Sequence, residues 1–299
     1  MEWNPQQYLQ QSKMQFFIGK LALVKLQPSS SETVLDVGCG IGTLTREIAV
    51  KTAPGAVIGI DIDPQMIAYA NSELKAHPQS NLSFIQQDCI NLTFQTCFNA
   101  IFSNIVLHWV KPLQVLFEKF FLALKEGGRL QIATIFEDTS TPPNIFQEAP
   151  YTALESSPKI QIQQIENRIL QEFMIKGYYK EFLSLEEFQA HQSSVNPNRT
   201  YKVYKPMELE AMLDKAGFTG IKHEHQIYWH EFDDLGSYLE YRQSNIWLFF
   251  LGFFPPQYRP QLINKLNYLI QTGWNALPAS QKELPIREKW PILFIQATK

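Results

Sequence analysis

Apolar residues along the first half of the chain alternate between short strand-like runs and segments with helical spacing. The runs are rich in Val, Ile, Leu and Phe, and the segments between them place apolar residues three and four positions apart. Such alternation is typical of βαβ units, which build a parallel sheet covered by helices. The pattern predicts five early strands, at residues 33–37, 56–60, 82–85, 98–102 and 129–135.

The pattern changes after about residue 137, beyond which helical stripes predominate. A helix is predicted at residues 206–216, and two late strands are predicted at 219–228 and 290–297. Because late strands can rejoin an early sheet, we predict one α/β, Rossmann-like domain over the whole chain instead of two independent domains. Its predicted parts are a strand-rich half at 1–135 and helical cap insertions at 137–199 and 233–285.

Composition and charge are those of a globular protein, with 45% hydrophobic and 18% charged residues. The formal charge of −3 argues against a nucleic-acid partner, which would require a concentrated basic face. Cys39, Cys89 and Cys97 show no metal-ligand spacing and are expected to be reduced thiols in a cytoplasmic protein. We expect a soluble chain, because the apolar run at 246–254 is shorter than the roughly twenty residues that a membrane-spanning helix needs.

Three glycines at alternate positions, Gly38, Gly40 and Gly42, lie between the first predicted strand and the following helix. Glycines there allow a sharp backbone turn and the close approach of a ligand, which suits either a dinucleotide or S-adenosylmethionine. A dinucleotide-binding loop spaced G-x-G-x-x-G would require glycine at position 43, where the chain has Thr43. Asp36, two residues before the loop, could orient it and attract the ammonium group of a ligand.

Polar residues follow the next three predicted strands, at the sheet edge where ligands gather in open α/β folds. Asp61 could accept hydrogen bonds from both hydroxyls of a ribose, since Asp63 is available to cap the next helix. Asp88 could accept a hydrogen bond from an adenine amino group, or it could cap a turn. Ser103 and Asn104 could contact the ligand, or they could be no more than a polar strand end.

Five segments match, in order, the motifs of class I methyltransferases: VLDVGCGIGTLTREIA, GIDIDPQMIAYA, FIQQDC, FNAIFSNIVLHWV and LKEGGRLQIA. The chain resembles this superfamily over about its first 135 residues. The resemblance implies a seven-stranded, mostly parallel sheet with a reversed last strand. It also implies that the early half binds S-adenosylmethionine, which leaves as S-adenosylhomocysteine. From the change of pattern after residue 137, we expect the helical segments 137–199 and 233–285 to form the substrate region.

A narrower resemblance rests on Trp3-Asn4-Pro5 with Tyr8, and on the segment NIVLHWV at 104–110. These segments look like the trans-aconitate, malonyl-acyl-carrier-protein and juvenile hormone acid methyltransferases, which make methyl esters of carboxylic acids. The resemblance implies a small-molecule carboxylic acid or an acyl conjugate as acceptor, with His108 and Trp109 at the transferred methyl. Together, the loop, the strand ends and the two resemblances assign cofactor binding to Tyr8, Asp36, Gly38, Cys39, Gly40, Asp61, Ile62, Met66, Asp88, Cys89, Ser103 and Asn104.

The chemistry at the acceptor is less constrained by these patterns. A carboxylate is already ionised at neutral pH and needs no general base. His108 could donate a hydrogen bond to it, could act as a base toward a hydroxyl or amine, or could only stack beside Trp109. C- or N-methylation of a small molecule, and S-adenosylmethionine binding without catalysis, therefore remain alternatives, whereas Thr43 disfavours a nicotinamide oxidoreductase.

The second half of the chain adds three groups of candidate residues. Its aromatic residues could form the core of a helical cap, line an apolar acceptor pocket or, at 246–254, contact a membrane or acyl chain. Residues that could contact a carboxylate, or could be solvated surface groups, are Arg199, Tyr201, Lys202, Tyr204 and Arg242. No Cys or carboxylate pattern completes a metal site with the late histidines His223, His225 and His230, so no metal is expected.

Overall fold

The structure, a computed structural model, describes residues 4–137, 162–194, 202–244, 246–252 and 254–299. Trp3, Arg199, Tyr201 and parts of the predicted cap therefore lie outside the described residues. The chain forms two compact units. The sheet unit comprises residues 2–137, 198–227 and 291–299, and the helical unit comprises residues 138–197 and 228–290. The interpretation of the helical segments as a cap for the acceptor stays a prediction.

Seven strands form one sheet, with bounds β1 Val34–Val37, β2 Val57–Asp61, β3 Leu82–Gln86, β4 Phe98–Asn104, β5 Leu124–Ile135, β6 Thr219–Phe232 and β7 Ile286–Thr298. Their order is β3-β2-β1-β4-β5-β7-β6. The first five strands run parallel to one another, and β7 is antiparallel to β5. The predicted fold class, a Rossmann-like mostly parallel sheet with a reversed last strand, is confirmed.

The described helices are α1 Pro5–Gln11, α2 Lys13–Leu26, α3 Thr43–Thr52, α4 Pro64–Ala76, α5 Leu113–Ala123, α6 Ile162–Ile175, α7 Leu185–Ser194, α8 Pro206–Ala216, α9 Leu235–Ser244, α10 Ile246–Leu251 and α11 Arg259–Ala276. In α4 the first turn is fixed by Asp63, whose carboxylate accepts the backbone N–H of Gln65 at 2.8 Å and of Met66 at 3.2 Å. The prediction that Asp63 is the N-cap residue of α4 is therefore confirmed, and Asp61 does not cap this helix. In α5 the apolar stripe is buried against the sheet, where each large side chain contributes about 1.5–3 kcal/mol.

The sequence also predicts a helix that begins at Lys111-Pro112 and ends at Gly127-Gly128. The transition from α5 to β5 differs from this prediction. The helix ends at Ala123, and β5 begins at once at Leu124. The two glycines lie inside the strand, where the pairing with β4 shifts register, and Gly127 has a φ of 70°. Glycine here therefore permits a bulge in a strand instead of ending a helix. A strand bulge and a helix end both favour glycine, so the sequence does not distinguish them.

Helix α2 was not predicted, although Met14, Ile18 and Leu26 follow helical spacing and are buried. Its end is fixed by Arg129 of β5. The guanidinium donates to the carbonyl oxygen of Leu26 at 2.8 Å and forms two parallel bonds with the carboxylate of Glu32, at 2.6 and 2.8 Å. This pairing lowers the pKa of Glu32 and ties α2 to the sheet.

The helical unit has an aromatic core. On α11, Leu262, Leu266, Ile270 and Trp274 form one buried stripe. The ring of Phe173 meets those of Phe250 and Phe254 edge-on, with centroids 5.8 and 6.3 Å apart. Other aromatic side chains that are buried in this unit are Tyr179, Tyr238, Tyr241 and Trp247. Their burial favours the packing interpretation of these residues over an acceptor pocket or a membrane contact, while Phe253 lies outside the described residues.

A cluster of buried ionisable groups lies within that unit. Arg242, only 5% exposed, donates from Nε to Glu166 at 2.8 Å and from Nη1 to Glu288. Glu166 also accepts from Tyr238 and Trp247, and Glu288 accepts from Trp290 at 2.7 Å. Arg242 is thus neither a solvated surface group nor a free ligand for an acceptor, because the chain's own carboxylates bind it.

Candidate functional site

The glycine loop connects β1 to α3 and bends sharply at each glycine. Gly38, Gly40 and Gly42 have φ values of 73°, 55° and 79°, a region that side-chain-bearing residues rarely adopt. A Cβ on Gly38 would lie 2.2 Å from the Val106 side chain, and one on Gly42 would lie 2.4 Å from the Phe84 ring. Two of the glycines are therefore required for packing as well as for backbone conformation.

Gly40 differs from its two neighbours because its missing side chain faces open space. The nearest atom to a Cβ added at this position would be Cε1 of Tyr8, at 3.8 Å. Tyr8 lies on α1, and its phenol pKa is raised by burial and by the nearby charges of Asp61, Cys39 and Asp36. The α1 segment thus brings an aromatic ring to the loop, and the predicted contact of Tyr8 with a cofactor stays a prediction. The space beside Gly40, bordered by Tyr8, is the cradle that a loop-bound ligand could fill.

Asp61 joins the end of β2 to the glycine loop. One carboxylate oxygen accepts the backbone N–H of Gly40 at 2.9 Å, and the other accepts that of Asp63 at 2.9 Å. Burial raises the pKa of Asp61, and these two hydrogen bonds oppose the rise. Each oxygen retains a further lone pair, so the carboxylate can still accept ligand hydroxyls. Asp61 therefore fixes the loop, and its predicted contact with a ribose stays a prediction.

Asp36 is buried beneath the loop, with 3% of its surface exposed. It accepts a hydrogen bond of 2.7 Å from the hydroxyl of Thr45, a residue that was not predicted to belong to the site. The spacing of nine residues, from the end of β1 to the first turn of α3, is the signal that could have indicated it. Burial, with the nearby charge of Asp61, outweighs this bond and raises the pKa of Asp36 to about 7.

We expect Asp36 to make the stability of the protein depend on pH. Because its pKa is about 7 in the fold, against a usual value of 3.8, folding favours the protonated acid. Its favourable contribution is complete below pH 3.8 and is lost as the pH rises through 7. Asp36→Asn keeps an oxygen for Thr45 and cannot ionise, so it should be more stable than the wild type at pH 8 by up to a few kcal/mol. Urea unfolding at pH 5 and pH 8 measures the difference in the free energy of unfolding between Asp36→Asn and the wild type. An equal difference at both pH values would contradict the prediction.

Asp88 and Cys89 follow β3. The Asp88 carboxylate accepts the backbone N–H of Ile90 at 3.2 Å, so it caps the short 3₁₀ turn Cys89–Asn91. Burial raises the pKa of the Cys89 thiol to about 12, and the charges of Asp88 and Asp61 add to the effect. The turn thus lies close to Asp61. The capping bond uses one oxygen of Asp88, and its predicted contact with adenine stays a prediction.

The end of β4 is tightly bound to its neighbours. Ser103 is fully buried and donates to the carbonyl oxygen of Val37 on β1 at 3.1 Å. Asn104 donates from Nδ2 to the carbonyl oxygen of Gln15 on α2 at 2.9 Å. The next residue, Ile105, has a φ of 57°, which is strained for a β-branched side chain and typical of functional sites. These two polar residues position the strand end, and their contact with a cofactor stays a prediction.

His108 and Trp109 form a 3₁₀ turn beyond this strand end. The His108 ring is 3% exposed and lies 5.0 Å, centroid to centroid, from the Trp109 ring. Burial lowers the pKa of His108 to about 3, so the imidazole is neutral at physiological pH. A base this weak is poorly suited to removing a proton from a hydroxyl or an amine. A neutral imidazole can still donate one hydrogen bond.

The remaining predicted positions are less central. Met66 is buried in the first turn of α4, whereas Ile62 is 41% exposed. The late histidines contact other side chains. Nδ1 of His223 lies 3.5 Å from Oε2 of Glu210, and the ring of His225 packs edge-on against that of Phe136.

Among the described residues, no group of three His, Cys, Asp or Glu side chains is arranged to hold a metal ion. No described helix is both long enough and apolar enough to cross a membrane.

Comparison with known proteins agrees with this site. A mostly parallel sheet with a glycine loop after β1, and with carboxylates in β1, at the end of β2 and just beyond β3, is typical of Rossmann-like proteins that bind nucleoside-containing ligands. The family described as methyltransferase domain matches residues 28–188, and the chain belongs to it. The predicted membership of the class I methyltransferases is therefore confirmed.

Individual relatives match parts of the chain. It is 30% identical to malonyl-[acyl-carrier protein] O-methyltransferase 1 of Ilyobacter polytropus over 36% of this chain and 39% of that one. It is 28% identical to trans-aconitate 2-methyltransferase of Methylobacterium radiotolerans, over 44% and 48%. Across such curated relatives, the matched share of the relative's length ranges from 39% to 64%. The YcgJ protein of Bacillus subtilis shares the fold, with a TM-score of 0.56 and 16% identity over 95% of this chain and 98% of that one.

Proposed function

We propose that the protein transfers the methyl group of S-adenosylmethionine to a carboxylate oxygen of a small-molecule acid or acyl conjugate. The observation that carries the cofactor assignment is the open space at Gly40, bordered by Tyr8, with Asp61 hydrogen-bonded to the loop that forms it. S-adenosylmethionine supplies an activated methyl group on a sulfonium. The methyl–sulfur bond breaks as the bond to the carboxylate oxygen forms, and S-adenosylhomocysteine is released.

The residues present fit this cofactor. Asp61 would accept the ribose hydroxyls, and Asp88 would accept the adenine amino group. Asp36 would attract the ammonium group, and a nearby cation would favour its ionised form, since opposite charges stabilise one another. Tyr8 would cover the methionine part. The glycine loop would let the backbone approach the ligand, as only glycine at position 40 leaves that space open.

Support for a carboxylate acceptor comes from His108. An amine or hydroxyl acceptor must lose a proton, and burial holds the pKa of His108 at about 3, too low for an effective base. A carboxylate needs only to be oriented in line with the methyl–sulfur bond, which binding in a fixed geometry can achieve. The two relatives above are named for a malonyl conjugate and trans-aconitate, both of which contain a carboxylate.

We also propose that no nucleic acid is involved, because the chain carries a formal charge of −3. A cytoplasmic location is supported by the free thiols of Cys39, Cys89 and Cys97, which fit a reducing compartment.

The test uses purified full-length protein with methyl-labelled S-adenosylmethionine and a panel of acceptors. The panel contains trans-aconitate, malonyl-acyl-carrier protein, fatty acids of several lengths, an aromatic amine and a phenol. Methyl esters release volatile methanol in mild base, whereas N-, C- and ether-linked methyl groups do not. Base-labile product from an acid is the expected result. Base-stable product would favour the alternative acceptors, and calorimetry showing no S-adenosylmethionine binding would overturn the whole proposal.

Asp61→Ala should weaken S-adenosylmethionine binding by about 3 kcal/mol. It removes charge-assisted bonds to the ribose, each worth about 1.5–3 kcal/mol, and it also releases the N–H of Gly40 that shapes the loop. Calorimetric titration measures the change. Asp63→Ala is the matched control, since it removes the neighbouring carboxylate that caps α4. An equal loss of affinity for S-adenosylmethionine in Asp61→Ala and Asp63→Ala would show that the role of Asp61 is purely structural.

A further inference from the structure

A short segment before α8, residues 202–204, lies along the edge of the sheet where the parallel strands end. The backbone N–H of Lys202 donates to the carbonyl oxygen of His108 at 2.9 Å. Two residues on, Tyr204 forms a parallel bridge with Phe136, just beyond β5, and its carbonyl oxygen accepts the N–H of Glu137 at 3.0 Å. The segment is therefore fixed against the His108 turn at one end and the end of β5 at the other.

The side chain of Lys202 brings a positive charge to this edge. Its ammonium lies 4.3 Å from the centroid of the Tyr204 ring, and Tyr204 is 5% exposed. Within the described part of the chain, no carboxylate lies within 4.0 Å of that ammonium. An aromatic face attracts a cation without neutralising it, unlike a carboxylate. As far as the described residues go, the charge of Lys202 thus lies beside the Tyr204 ring and remains available to an anion.

The carboxyl edge of an open parallel sheet is where ligands of such folds bind. Three carboxylates lie around the glycine loop, on Asp36 within β1, on Asp61 at the end of β2 and on Asp88 just beyond β3. Lys202 lies instead beside the turn that follows β4. The two ends of the site therefore differ in sign, with the acidic end suited to a cationic cofactor and the basic end suited to an anionic acceptor.

We propose that Lys202 is a specificity-determining residue that binds the anionic group of the acceptor. This inference rests on the proposed function, because it assigns the ionised carboxylate as the group that Lys202 recognises. Neutral analogues such as the amide or the finished methyl ester would lose this attraction. The same loss would favour release of the product, since methylation removes the negative charge.

Lys202→Met separates this role from a structural one. Methionine keeps an apolar chain over the Tyr204 ring and keeps the backbone N–H that donates to His108, while removing the charge. The KM for the best acid in the panel should rise by about tenfold or more, the scale of losing one charged hydrogen bond. The kcat and the affinity for S-adenosylmethionine should change less than threefold, roughly the noise of such comparisons. Lys202→Arg should restore most of the affinity for the acid.

The dependence of the KM on ionic strength is a second measurement, and a purely structural role of Lys202 would not affect it. In the wild type the KM for the acid should rise between 0.05 and 0.5 M salt, because this is roughly the range over which the screening length falls below 10 Å. In Lys202→Met the KM should not depend on salt in this way. Lys215→Met, at the other end of α8 and exposed, is the matched control and should behave as the wild type. Methyl ester formation with an unchanged KM in Lys202→Met would overturn this inference alone. Absence of any base-labile product in the wild type would instead overturn the proposed function and this inference with it.

Discussion

Gly40→Val should abolish S-adenosylmethionine binding while the protein remains folded. The new Cβ would lie in ordinary contact with the Tyr8 ring, at 3.8 Å, so the fold has room for it. The branched methyl groups would nevertheless occupy the space in which the methionine part must lie. Because van der Waals overlap with a ligand is not relieved by small shifts, we expect affinity to fall on the order of 100-fold or more, that is, by about 2.7 kcal/mol or more. Calorimetric titration measures it directly.

The backbone strain of this substitution requires its own control. Gly40 has a φ of 55°, and a side chain in the left-handed region costs about 1–2 kcal/mol. Gly127→Val introduces the same strain, because Gly127 has a φ of 70°, but nothing lies within 4 Å of its would-be Cβ. The two variants should therefore lose similar stability in urea unfolding, and only Gly40→Val should lose the cofactor. Retained affinity for S-adenosylmethionine in Gly40→Val would refute the assignment of the space beside Gly40 to the methionine part of the cofactor.

Arg242→Met should destabilise the helical unit by about 3–5 kcal/mol, the usual cost of removing one partner from a buried ion cluster. Arg242 holds Glu166, which is 0% exposed, and Glu288, which is 4% exposed. Without the guanidinium, two buried carboxylates would remain with hydrogen-bond donors from neutral side chains only. Burial already raises the pKa of Glu288, so the variant should regain part of its stability at acid pH, where Glu288 protonates. Urea unfolding at pH 5 and pH 8 tests both statements.

Arg168→Met is the matched control for that experiment. Arg168 also pairs with a glutamate, Glu172 at 3.0 Å, but the pair joins successive turns of α6 and the arginine side chain is 61% exposed. Exposed pairs of this kind contribute about 0.3–0.5 kcal/mol. A loss below about 1 kcal/mol in Arg242→Met, comparable with this control, would show that the buried cluster is not required for stability.

Most of the fold could be predicted from the sequence, because local patterns and the tertiary structure favour the same elements. The predicted helix at 206–216 has the bounds of α8, where Pro206 starts the helix and Gly217 ends it with a φ of 103°. The strand predictions agree with β1 to β7 within a few residues. The exceptions arise where one residue serves two purposes, as with Gly127 and Gly128, or where polar residues interrupt a helix with a weak stripe, as in α2.

The candidate site was predictable only where function requires a particular residue type at a fixed position along the chain. The glycine loop and Asp61 meet this condition, because the backbone conformation and the carboxylate are tied to the ends of β1 and β2. The role of Thr45 depends on how α3 packs over β1. The position of Lys202 beside His108 depends on a contact between residues far apart in the chain. The first relation leaves only the nine-residue separation of Asp36 and Thr45 as a signal, and the second leaves no trace in local spacing.

The place of β7 in the sheet constrains how this protein is made. β7 lies between β5 and β6, and its pairing with β5 joins residues as distant as Arg129 and Thr298. On the ribosome, β1 to β5 can emerge and pair first, because their contacts are closer along the chain. The outer edge of β5 must then stay unpaired until residues 286–298 are synthesised, and an exposed strand edge attracts other chains. The nascent chain is thus most prone to aggregation late in translation, when its cofactor loop has already been synthesised.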